Sequence, residues 1–308
     1  MKTFIKVIEI WMPDEDRTQL VFGSGLYGSL LDFKNASEYQ HFAYDEGLPG
    51  KAWAAGHPIV LKHFERSYFK RTQAAQQAGL TCGIALPIFA GDFLLAVVVF
   101  LCGDDDEQAG AIEVWRKEPG TGDELHVLDG YYGSLKQFET FSKQTKMSKS
   151  QGIPGIAWAT GMPVLTEDIG NDPKFIRSSY AQEIGMTTAL GIPVFNSPER
   201  SYVMTFLSAK ATPIAKRIQI WIPDQEGKHL LCQQGYSKAS NGLAEIFETI
   251  TVTKGIGALG RVWLTGIPCI TGVTDDINYN PALDNLNSML AIPVIEAGFF
   301  KAIVTFLF

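Results

Sequence analysis

Apolar and polar side chains alternate along the opening stretch "FIKVIEIWM", with Ile8 and Ile10 on one face and Glu9 and Trp11 on the other. That is the period of a half-buried strand. A "PDED" turn leads into a second strand, "TQLVFGSG", and the polar stretch "FKNASEYQHFA" predicts a short helix. "GLPGKAWAAGHP", residues 47–58, reads as a loop entering a helix, with Pro49 near its first turn and Gly56 stopping it before Pro58. A short strand, a variable loop with a helix, and two strands follow. The last of these, "AVVVFLC", is apolar on both alternating faces and so predicts a strand buried on both sides. The order of strand, strand, helices, strand, helix, strand, strand predicts an α+β unit built on an antiparallel sheet.

The pattern then recurs. "GIPGIAWATGMP" stands at 152–163 and "GALGRVWLTGIP" at 257–268, so that Trp53, Trp158 and Trp263 are each 105 residues apart. Upstream, "IEIW", "IEVW" and "IQIW" align Trp11, Trp115 and Trp221; downstream, Pro87, Pro193 and Pro293 fall into step, followed by strands ending at Phe100, Phe206 and Phe306. All six tryptophans belong to these two series, which predicts three homologous units over residues 1–103, 109–210 and 213–308. In each, glycines spaced like Gly47 and Gly50 let the backbone turn tightly and approach the sheet. The Trp three residues on points its ring at that sheet, to wedge a core or wall a pocket.

Composition narrows the function. A chain of 308 residues favours two or three domains, and 46% hydrophobic with 19% charged residues is an ordinary globular balance. A net charge of −7 gives no basic field for phosphate backbones or anionic lipid, so neither nucleic acid nor membrane is expected as a partner. The N-terminus lacks the apolar core and cleavage site of a signal peptide, and "FLLAVVVFLC" is about half a bilayer span, so a cytoplasmic location is expected. Cys82, Cys102, Cys232 and Cys269 show no ligand spacing and read as packing residues in a reducing compartment.

The loop after the Trp helix varies most. Phe69-x-Arg71 and Phe175-x-Arg177 align there, whereas the third unit has Tyr279 near the Phe position and no Arg beside it. Arg71 and Arg177 are either anchors for an anionic ligand, since guanidinium matches carboxylate and phosphate, or residues that cap the lid or solvate a surface helix. Trp53, Trp158 and Trp263 are either core or a ligand wall. His57 and His63 could meet near a pocket mouth in the first unit, but Met162 and Ile267 replace His57 in the others, and neither metal nor cofactor is expected. No nucleophile–base pair or phosphate loop recurs, so no enzyme is expected.

The stretches "EGLPGKAWAAGHPIV", "FKRTQAAQQAGL" and "IALPIFAGDFLLAVVVF" resemble the GAF domain superfamily, three times over, and are similar to the GAF units of bacterial signalling proteins. "IQIWIPDQEGKHLL" and "AQQAGLTCGIALPIF" also resemble the GAF-like region of plant NIN-like regulators. The resemblance implies an antiparallel sheet with short helices on one face enclosing a small-molecule pocket, used for sensing or dimerisation. Its special chemistries are not matched. Cys82 lacks the flanking His of bilin attachment, the clustered cysteines of the methionine-sulfoxide-reducing members are missing, and so is the Asn-Lys-Phe-Asp-Glu set of cyclic-nucleotide binders. Nor does the chain show the long flanking helices that cover the back of a typical GAF sheet, or a kinase, cyclase, phosphodiesterase or DNA-binding output domain. The three units are therefore expected to pack back to back or to be covered by a second copy, three being an odd number for pairing. These features predict a non-enzymatic sensor that binds a small, anionic molecule in units one and two and signals by contact with a separate output protein. The alternative is an assembly scaffold or adaptor whose pockets are filled by side chains such as Trp53, Phe64 and Phe69.

Overall fold

The computed structural model describes residues 3–103, 108–117, 122–172, 175–197, 200–237, 250–273 and 286–308. The first unit runs β1 (Val7–Pro13), β2 (Gln19–Leu26), α1 (Leu31–Glu38), β3 (His41–Ala43), α2 (Gly47–Ala55), β4 (Ile59–Lys62), α3 (Thr72–Gln77), β5 (Cys82–Ala90) and β6 (Phe93–Cys102). The second repeats it as β7 (Gly110–Lys117), β8 (Glu124–Tyr131), α4 (Lys136–Gln144), β9 (Lys146–Ser148), α5 (Gly152–Thr160), β10 (Val164–Glu167), α6 (Ser178–Glu183), β11 (Met186–Ser197) and β12 (Arg200–Ala209). In the third the described elements are β13 (Arg217–Pro223), β14 (His229–Ser237), β15 (Thr251–Thr253), α7 (Gly257–Thr265), β16 (Cys269–Gly272), β17 (Ser288–Glu296) and β18 (Phe299–Leu307).

Each unit is one six-stranded antiparallel sheet, ordered β3-β2-β1-β6-β5-β4 in the first and equivalently in the others. The fold class is the expected one: α+β, three antiparallel sheets with short helices. The three-residue strands β3, β9 and β15 escaped the sequence reading because so short an edge shows no period. The aligned prolines follow from the pairing. β4 covers β5 only from Cys82 to Ala85, so Pro87 lies beyond its end, where a missing N–H breaks no ladder. Pro193 and Pro293 stand in the same relation to β10 and β16.

Strand β6 divides its side chains between two cores. Val97, Val99 and Leu101 pack under the helices, while Val98, Phe100 and Cys102 face the back. That back core is shared: it joins Ile8, Ile10 and Val98 of unit one to Val114, Leu190 and Met204 of unit two and Ile218, Ile220 and Val304 of unit three. Phe206 stands at its middle, 5.4 Å from Phe100 and 5.1 Å from Phe306. The sheets therefore meet three at a time rather than in pairs, and among the described residues all three backs contribute to that one core.

Equivalent seams join the units in a ring. β4 touches β8, β10 touches β14, and β16 touches β2. At the first seam Lys62 Nζ lies 2.9 Å from Asp129 of β8, and His57 stacks on Tyr202 of β12 with ring centroids 4.7 Å apart. Strands β5, β11 and β17 surround the axis, where the three Pro residues line a channel of only about 20 Å³.

The Gly-x-x-Gly signature has a steric cause. Gly47 opens α2 at φ 59°, and a Cβ on Gly50 would run into the carbonyl oxygen of Ala43 in β3. Gly155 and Gly260 face Ser148 and Thr253 in the same way. Gly50→Ala, which helix propensity alone would favour, is thus expected to destabilise by about 1–3 kcal/mol because α2 must lift off β3. An unchanged urea midpoint would show that the helix does not rest on that carbonyl.

Candidate functional site

The front of each sheet, under the helices, is where a small-molecule pocket would lie, and strand alternation decides what points into it. On β1, Glu9 and Trp11 share the front face, and Trp11 Nε1 donates to Glu9 Oε2 at 3.0 Å. Arg71, immediately ahead of α3, comes down onto the same carboxylate with both arms of its fork: Nη1 to Oε1 at 2.5 Å and Nη2 to Oε2 at 2.8 Å. Its Nη1 also donates to Ser37 of α1, and Tyr27 donates to Glu9 Oε1 at 3.0 Å. Both charged residues are buried, Glu9 fully and Arg71 to 5% exposure.

The second unit repeats the arrangement. Arg177 Nη1 and Nη2 donate to Glu113 Oε1 and Oε2 at 2.5 and 3.1 Å, and Nη1 donates to Ser142 at 2.7 Å. Trp115 Nε1 and Thr205 Oγ1 each donate to Glu113 Oε2, both at 2.9 Å. Aromatic rings close around each guanidinium: Phe33, Phe69 and Trp11 lie 4.8, 5.2 and 5.4 Å from Arg71, and Phe138, Phe175 and Trp115 lie 4.9, 5.2 and 5.4 Å from Arg177. Burial alone would push the carboxyls of Glu9 and Glu113 up, but the arginine charge and its hydrogen bonds outweigh it and hold both below the usual glutamate range.

Phe69, Arg71, Phe175 and Arg177 are thus brought to the fronts of their sheets, with each arginine's charge balanced by a carboxylate of the protein itself. Its partners, Glu9 and Glu113, were missed by the sequence reading. The signal was present in "IEIW" and "IEVW", since a Glu sharing a strand face with a Trp that becomes core must itself be buried. The later tryptophans go elsewhere. Trp53 is half-buried, edge-on to Tyr44 at 5.3 Å; Trp263 is buried and lies 6.2 Å from Phe300. Trp158 lines an inter-unit cleft of about 590 Å³ with Phe89, Phe195 and Phe299. Tyr279 lies outside the described residues. His63 lines a cavity of about 40 Å³ between units one and two.

The third unit keeps the frame and changes the chemistry. Gln219 takes the place of Glu9 and Glu113 in identical register, opposite Gly235 and Thr305 as Glu113 is opposite Gly130 and Thr205. Thr305 Oγ1 donates to Gln219 Oε1 at 3.2 Å, and Gln219 Nε2, fully buried, has no hydrogen-bond partner among the described residues.

The GAF domain family model matches residues 6–116, which take in the first sheet with its helices and most of β7. The second and third units repeat the strand order of the sheet that this match covers. GAF domains are generally regulatory or sensor domains. Among solved structures, the chain is similar to the GAF domain of A. aeolicus nlh2 in an inactive state, with 21% identity, a TM-score of 0.27, and 33% of this chain covering 60% of that one. It is also similar to free methionine-R-sulfoxide reductase from Neisseria meningitidis in complex with its substrate (15% identity, TM-score 0.26, 32% and 52% covered). A third likeness is to the GAF domain from Acinetobacter phosphoenolpyruvate-protein phosphotransferase (14% identity, TM-score 0.24, 32% and 54% covered). The chain thus spans between about half and three fifths of the length of these structures. No curated protein matches it. Among the described residues, no helix is long and apolar enough to cross a membrane.

Proposed function

We propose that this chain is a non-enzymatic regulatory protein of tandem GAF-like units that senses a small molecule and passes the response to a separate protein by surface contact. In this reading units one and two are closed supports. The observation that carries the division is the Glu–Arg pair buried in each: the anion that Arg71 and Arg177 would recruit is already present as Glu9 and Glu113, and Phe33, Phe64 and Phe69 fill the remaining front of unit one. Tyr39, Tyr44, Phe93 and Phe299 stand exposed, of the residue types enriched at protein–protein contacts.

Heat denaturation across a panel of organic acids, amino acids, sugar phosphates and nucleotides tests the sensor. A ligand at a hundred times its dissociation constant adds about 2.7 kcal/mol to stability, so at least one compound is expected to raise the midpoint clearly. A panel that moves it nowhere would leave the assembly scaffold as the function.

A further inference from the structure

We propose that the cleft between the three units, where Trp158 meets the ends of β5, β11 and β17, is the small-molecule site, and that its ligand is a small, flat aromatic compound held by ring contacts. This rests on the sensor reading above and gives it a place and a ligand class, since the fronts of units one and two are filled by their own side chains.

Size and construction are the first support. All three units contribute: Phe89 ends β5, Phe195 and Glu296 lie near the ends of β11 and β17, and Trp158 of α5 and Phe299 of β18 complete the lining. At about 590 Å³ the cleft falls in the range of small-molecule sites. Units two and three meet closely at its base. A Cβ on Gly161, which caps α5 three residues after Trp158, would lie 3.4 Å from Glu296 and 3.5 Å from Phe195. The rim is open to solvent, where Phe299 is 73% exposed.

Ring chemistry decides the class. The equivalent tryptophans have aromatic partners within their own units, Trp53 with Tyr44 and Trp263 with Phe300. Trp158 has none: the residue in step with Tyr44 is Lys149, which with Lys117 stands 5.5 Å from the centre of the indole. Phe89, Phe195 and Phe299 likewise make no ring contact among the described residues, although all four side chains line one cleft. A flat ring placed among them gains the offset-stacked and edge-to-face contacts that these side chains do not make with one another. Charge selects little. Lys301 Nζ lies 2.9 Å from Glu296, so the two offset each other, and Asp92 is exposed.

Calorimetric titration of the full chain with naphthol and its saturated counterpart decahydronaphthol tests this, alongside the panel above. Naphthol is expected to bind about tenfold or more tightly than the saturated ring, with contacts from its protons to the Trp158 and Phe195 rings in nuclear magnetic resonance spectra. Trp158→Leu and Phe299→Ala should each weaken it by about three- to tenfold, whereas Trp53→Leu, the same exchange in a helix that does not line the cleft, should leave it unchanged. The ring contacts are read on the wild-type chain and so stand even where a variant folds poorly. Affinity unchanged in both cleft variants, or probe contacts away from those rings, overturns the site while leaving the sensor reading intact. Equal affinity for the two probes overturns the ligand class. Cleft resonances that shift when the protein alone is diluted would seat a second copy there and overturn the proposal. Failure of naphthol to bind while a panel compound does overturns the proposal alone, and no binding by any compound overturns the sensor reading with it.

Discussion

Arg177→Met is expected to cost more stability the higher the pH. In the wild type Glu113 titrates below its ordinary value of 4.5 in the folded state, because Arg177 offsets the cost of its burial. Its stabilisation is therefore complete above that value and is lost as the pH falls through the lowered pKa. Without the guanidinium, burial acts alone and drives the carboxyl up, so the folded variant favours the protonated acid. The contribution of Glu113 to stability should then be greatest below the ordinary value and decline as the pH rises above it. At neutral pH the loss should be about 3–5 kcal/mol, that of breaking a buried pair and leaving one charge behind. The double change Glu113→Gln with Arg177→Met should recover much of it, since unit three already tolerates Gln219 at that register. Urea midpoints of variant and wild type taken from acid to neutral pH decide the matter: a gap between the two that does not widen as the pH rises would mean that Arg177 is not what compensates Glu113.

Phe206→Ala should cost about as much by a different route. The ring is 1% exposed and sits between Phe100 and Phe306, so its loss opens a cavity lined by all three sheets, for which about 3–5 kcal/mol is the usual penalty. Because the core is common property, the variant should unfold at a lower denaturant concentration but still in one transition. Separate transitions for separate units would show that the shared core does not bind them into one cooperative body.

The sequence made some features legible and hid others for identifiable reasons. Threefold recurrence of Trp, Pro and Phe revealed the three units, and the doubly apolar "AVVVFLC" revealed that each sheet needs cover on both sides. The alternation at Ile8 to Trp11 located the strand but not its charge partner: Glu9 and Arg71 lie 62 residues apart, and only the folded chain brings them together. A Phe-x-Arg motif looks the same whether its guanidinium awaits a ligand or is already satisfied. The change from Glu to Gln in "IQIW" was visible, but its meaning depended on knowing which face of the strand is buried.

The ring of seams has a consequence for how far a perturbation must travel. Each unit borders both others directly, β16 of the third touching β2 of the first as β10 of the second touches β14 of the third. An event in the third unit is thus one step from either neighbour, and its neighbours in sequence have no priority over its neighbours in space. The surface that reports it need not adjoin it along the chain; the first unit, farthest away by residue number, is as close a listener as the second.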